Sequence, residues 1–175
     1  MTLSEGFRKA RYGLPTRCTN RAFLDHCPER IAEIFHYWDG LRGDRRMPCR
    51  ADFDPAEVVR HLPSLLLIDV EGVDDRGSAI LRYRVVGTEE VLLRGHDPTG
   101  KLVSEGFVGP SLEVVMEAYE LVRKERCFLF ELLEFKTHRG VMRSEYGILL
   151  PLSEDGTNVS QILVYSLMRD ADEEG

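Results

Sequence analysis

Three groups of residues in this chain have the type and spacing that could do chemistry. His36 and Asp39 lie three apart in IAEIFHYWDG, where two ligands on one flank of a helix could meet a metal ion. No third ligand follows at a usable spacing, so the pair reads as a polar flank. Glu131 and Glu134 interrupt the apolar run FLFELLEF and could be taken for two carboxylates that exchange a proton. In a strand, residues three apart point to opposite faces, which argues against a dyad. Cys18, Cys27, Cys49 and Cys127 make neither a CxxC pair nor a zinc spacing and read as four reduced thiols. His96 and His138 fall in predicted turns, where solvated histidines are common. No GxSxG, P-loop, HExxH or GxGxxG is present. The expectation is a protein that is not an enzyme, with no metal site and no catalytic residue.

Residues 80–100, ILRYRVVGTEEVLLRGHDPTG, form the stretch around which the other elements are arranged. Leu81, Tyr83 and Val85 alternate with Arg82 and Arg84, the period of a half-buried strand. Gly87 breaks that strand. Thr88 can cap a short helix with Glu89 and Glu90 in its first turn, where acids favour the helix dipole. Gly95 suits the helix end, and Asp97-Pro98-Thr99-Gly100 reads as a tight turn. A strand feeding a short helix and an ordered turn can wall one side of a pocket.

The other elements follow from periodicity. Residues 1–20 have few apolar positions and read as a mobile or loosely docked arm, with a short helix near 20–27. Ile31, Ile34, Phe35, Trp38 and Leu41 then form one apolar stripe on a helix that Pro28 can start and that Gly40 and Gly43 close. Asp54, Pro55 and Glu57 make a second helix start, ended by Pro63. Residues 65–70 read as a strand, turned by Asp74-Asp75-Arg76-Gly77 into the strand at 80. A longer helix over 110–125 buries Leu112, Val115, Met116, Tyr119 and Val122. Three strands, 128–136, 141–152 and 159–168, are joined by turns at 137–140 and 153–158. The fold class is α+β: a five-stranded antiparallel sheet with helices on one face, and the leading helix on the other face or in a dimer interface. The expected division is an arm over 1–28, a helical lead-in over 29–61, a domain over 62–169 and an acidic tail over 170–175.

At 175 residues the chain has room for one ordinary domain plus an extension. Its net charge of −7 is uneven. Residues 1–50 hold 10 of the 23 basic and 6 of the 30 acidic residues, which leaves 13 against 24 for the rest. Arg42, Arg45, Arg46 and Arg50 are too loosely clustered for a nucleic-acid arm, so no nucleic-acid partner is expected. The start is polar and lacks the apolar segment of a signal peptide, and no apolar run approaches the ~20 residues of a membrane span. A soluble, cytoplasmic location is the expectation.

Three blocks carry a family resemblance: YWDGLRGDRRMPCRADFDP at 37–55, LPSLLLIDVE at 62–71 and RYRVVGTEEVLLRGHDPTGKLV at 82–103. In that order they resemble the stand-alone bacterial PAS-domain proteins, in which one PAS domain follows a helical lead-in with a Trp-Asp-x-Leu-Arg pattern. The resemblance spans about residues 31–167 and implies a sensor or interaction module. It assigns no cofactor. The Asn-Cys-Arg-Phe-Leu segment of flavin photoreceptors has no counterpart in 101–109, and 110–125 contains no histidine to bind haem.

A pocket is expected on the sheet face opposite the leading helix, closed by the long helix and the segment after Gly87. Tyr83, Met116, Tyr119 and Tyr146 are its expected lining, with tyrosine hydroxyls able to meet polar atoms of a ligand. The expected function is a signalling module that senses a small molecule or docks a partner without an attached output domain. Its signal would leave through Ile31, Phe35 and Trp38, which could also hold a homodimer. The alternatives are a constitutive adaptor with a filled core, and a small PAS-like enzyme.

Overall fold

Alternating apolar residues in the C-terminal half build long strands, and a computed structural model shows how they assemble. It describes residues 16–108, 111–136 and 142–170. The first 15 residues, most of the expected acidic tail, the start of the long helix at Pro110 and the turn bearing His138 lie outside them. The strands are β1 (Thr16–Cys18), β2 (Leu65–Val73), β3 (Ala79–Val86), β4 (Leu129–Lys136), β5 (Met142–Leu152) and β6 (Gln161–Asp170). They form one antiparallel sheet in the order β1-β4-β5-β6-β2-β3. The helices are α1 (Glu29–Arg42), α2 (Thr88–Arg94), α3 (Val103–Gly106) and α4 (Leu112–Glu125). α1 covers one face of the sheet and α4 the other.

The sheet has six strands because part of the expected arm joins it. Thr16 pairs with Leu132 and Cys18 with Phe130, and the 3-10 turn Arg21–Asp25 that follows buries Phe23 completely. Residues 16–28 are therefore docked. Phe23 stacks on Phe130 at 5.0 Å between centroids and meets Phe35 edge-on at 5.0 Å, an aromatic clasp that holds the segment down.

The α1 stripe closes over the chain's own β5 and β6. Ile31 and Phe35 are fully buried, Trp38 is 3% exposed, and the indole N–H donates to the Pro151 carbonyl at 2.9 Å. The expected interface of Ile31, Phe35 and Trp38 is thus corrected. Burial of this area against the sheet leaves none of the three side chains for a second copy.

Two local readings also change. The β2–β3 register slips between Leu67–Val85 and Ile68–Tyr83, so Arg84 is the extra residue of a bulge. The slip turns Val85 outward, half exposed, and brings Val86 to the α4 face instead. Gly87, with Thr88 as the first helical residue, occupies the cap position of α2, and no side chain caps it. A Cβ at Gly87 would run into the carbonyl oxygens of Pro63 and Leu62, so this strand-to-helix corner requires glycine. Gly95 ends α2 in the left-handed conformation, at φ 74°. Asp97 closes the next turn by accepting from the Thr99 N–H at 3.0 Å.

Candidate functional site

Strand alternation decides which side chains face α4. On β4 these are Leu129, Glu131 and Leu133; on β5 they are Glu145, Gly147 and Leu149; on β6 they include Val164 and Ser166. Near α4's C-terminal half, Leu129, Leu149 and Val164 meet Tyr119 and Val122 in a packed core. Toward its N-terminus the packing opens into a cavity of about 120 Å³ between Tyr83, Arg94, Phe107, Tyr119 and the β4–β5 pair. Gly147 helps make this space. It pairs with Glu131 across the sheet, and a Cβ on it would meet nothing within 4 Å.

The walls combine rings with buried charge. Arg94 donates to the backbone oxygen of Glu90 at 3.1 Å and to its carboxylate, an i,i+4 pair fixed by one turn of α2. Burial pushes the Glu90 carboxyl up, against the pull of Arg94. The Arg94 Nε is buried and has no hydrogen-bond partner. From the far edge, Arg17 of β1 donates to Glu131 at 2.5 Å and to the Val114 carbonyl at 2.9 Å, and reaches Glu117 at 3.3 Å. One guanidinium thus ties β1, β4 and the first turns of α4 together. Burial raises Glu131 even beside Arg17.

Glu145 differs from both. It makes no hydrogen bond or ion pair with any described residue. Burial, reinforced by the charges of Glu90 and Glu131 and only partly offset by Arg94, raises its carboxyl to about 7. Tyr83 lies against Arg94, with the guanidinium carbon 6.0 Å from its ring centroid. Burial pushes both Tyr83 and Tyr119 upward, keeping them as neutral phenols that can donate.

Of the four expected lining residues, Tyr83 and Tyr119 face the cavity, each nearly fully buried. Met116 packs against the core of the same face outside the cavity lining. Tyr146 is corrected to the opposite face. It is one residue out of phase with Glu145 and Gly147, and it joins the α1 core beside Phe130. Arg94, Glu131, Glu145 and Gly147 were missed as lining. Their signal was phase: Glu145, Gly147 and Leu149 share one side of β5, and Glu90–Arg94 has helical pair spacing. As for the other spaced pairs, Asp39 is bound by Arg21 and Arg42, both at 2.8 Å, as a helix flank. Glu134 is exposed, on the face away from Glu131.

One further polar cluster sits under α1. His61 Nδ1 lies 3.0 Å from the Tyr165 hydroxyl, and its Nε2 lies 3.1 Å from Glu33. Tyr165 is fully buried in the α1 core, so this relay braces the 3-10 segment Pro55–Ser64 against β6.

The architecture is an α+β domain, an antiparallel sheet with a cavity between its strands and a flanking helix. The family model for the PAS domain matches residues 27–165, and the chain belongs to that family. Solved structures that resemble it include an RNA-binding light-oxygen-voltage receptor, 16% identical with a TM-score of 0.40 over 65% of this chain and 32% of that one. This chain thus spans about a third of that receptor. Another is the light-state structure of the blue-light photoreceptor Aureochrome1 LOV, 10% identical with a TM-score of 0.43 over 68% of this chain and 91% of that one. No curated protein matches the chain. Among the described residues, no helix is long and apolar enough to cross a membrane.

Proposed function

We propose that this PAS domain is a cytoplasmic sensor that holds a small molecule beneath α4 and signals its occupancy to a protein partner, without catalysing a reaction. The observation that carries this reading is the pairing of a cavity with unmet polar groups. Buried polar atoms without partners cost free energy, so they are rare where a core serves packing alone. Glu145 lines this space without an ion pair to any described residue, and the Arg94 Nε on its wall is a buried donor without a partner. At about 120 Å³ the space suits a compound near the size of benzene, which enters engineered cavities of ~150 Å³.

Native mass spectrometry of gently purified protein, combined with thermal shifts across a panel of small metabolites, tests the reading. A bound mass, or a shift that Gly147→Leu abolishes, supports it. Neither a bound mass nor any shift leaves the adaptor with a filled core.

A further inference from the structure

The charges around the cavity are matched in pairs, with one left over. Arg94 of α2 is met by Glu90. Glu131 of β4 is met by Arg17 of β1, which also reaches Glu117 on α4. Arg143, two residues before Glu145 on β5, has a partner of its own. Tyr83 and Tyr119 face the space as neutral phenols. Among the described residues Glu145 has no counter-charge in contact, and the charged groups that act on it are Glu90, Arg94 and Glu131. With Glu90 and Glu131 met by Arg94 and Arg17, an anionic ligand would set a second negative charge against Glu145. A cation would complete the set, and the ring faces of tyrosine and phenylalanine attract cations.

We propose that the cavity takes a small organic cation, an alkylammonium of a few heavy atoms, with Glu145 as its counter-charge and Tyr83, Tyr119 and Phe107 as its aromatic walls. This rests on the sensor reading above and names the ligand class for that site. Gly147 faces the same space, where a side chain would occupy the volume the ligand needs. Binding is coupled to proton release, because the carboxyl that titrates near 7 must ionise to meet the cation. Affinity therefore rises with pH through neutrality. The other carboxylates keep their arginine partners over this range.

The test uses the full chain and three probes of similar size: tetramethylammonium, neutral tert-butanol and anionic pivalate. Each is titrated by NMR chemical-shift perturbation at pH 6 and pH 8. Tetramethylammonium is quaternary and does not titrate, so any pH dependence belongs to the protein. The expected result is tetramethylammonium binding at pH 8 that weakens about tenfold at pH 6. Glu145→Gln should remove this binding while leaving that of tert-butanol, and Gly147→Leu should block both. If Gly147→Leu does not fold, Gly147→Ala is used, and it should weaken the binding of both probes. Pivalate binding in preference to tetramethylammonium, or tetramethylammonium binding unchanged by Glu145→Gln, overturns the cation proposal and leaves the cavity reading standing. Failure of all three probes, with no co-purifying mass, overturns both.

Discussion

The two faces of this sheet draw on the same four strands, β2, β4, β5 and β6, yet they differ in kind. Toward α1, β5 presents Tyr146, Ile148, Leu150 and Leu152, and these meet Phe23, Phe35 and Trp38 in a core of rings and aliphatics. Toward α4, the alternate residues of β5 run Glu145, Gly147, Leu149: a charge, a gap and then packing. Strand alternation lets one segment pack a continuous core on one side and border a cavity on the other. Both faces carry a buried core, and the one toward α4 also holds the cavity. Two adjacent odd positions of β5 shape the α4 cavity, Gly147 leaving room and Glu145 adding a carboxylate to the polar wall formed with Arg94 and Glu131.

The most forceful way to break this comparison is to open a void under α1. Phe35→Ala removes a fully buried ring that touches Phe23, Trp38 and Phe128. The expected cost is about 3–5 kcal/mol, enough to unfold a marginal domain, as read from the urea midpoint at constant m-value. A loss below about 1 kcal/mol would show that the α1 face is not a tightly packed core.

A carboxyl held near 7 on the other face must weaken the fold at high pH. Glu145 ordinarily titrates near 4.5 and is raised to about 7 in the folded chain. Between those values the folded state holds the extra proton, so stability is fully present below about 4.5 and is lost as pH rises through 7. The upper limit of that loss is on the order of 3 kcal/mol. Glu145→Gln should thus raise the melting temperature at pH 8 and leave it nearly unchanged at pH 4. A substitution that stabilises while removing ligand binding is the mark of a group kept for function. Equal melting at pH 8 would show that Glu145 is solvated or paired in solution.

Periodicity made the strands, the α1 stripe and the division of the sheet into two faces legible, because each depends on residues close in sequence. What escaped depends on phase or on distance. Ring chemistry groups Tyr146 with Tyr83 and Tyr119, while its one-residue offset from Gly147 sends it to the other core. Val85 continues a strict alternation, which the bulge at Arg84 then inverts. β1 is three residues long, too short for any pattern, and its place comes from Arg17 meeting Glu131 across 114 residues of chain. The cavity itself is an absence, visible in sequence only as a glycine inside an otherwise good strand.

That glycine permits the finest test of the contrast. Gly147 has ordinary strand geometry and open space where a Cβ would stand. Gly147→Ala therefore adds apolar contact and lowers the entropy of the unfolded chain without strain, a gain of about 0.4–1 kcal/mol. The same methyl narrows the space beside Glu145 and should weaken probe binding. An alanine at Ile148, next in sequence but fully buried on the α1 face, should instead cost about 2–5 kcal/mol. Opposite signs at neighbouring positions, measured by chemical denaturation of both variants, are what a sheet filled on one face and open to a cavity on the other requires. A loss at Gly147→Ala comparable to that at Ile148→Ala would mean that the α4 side is already filled, and that the two faces differ only in which residues fill them.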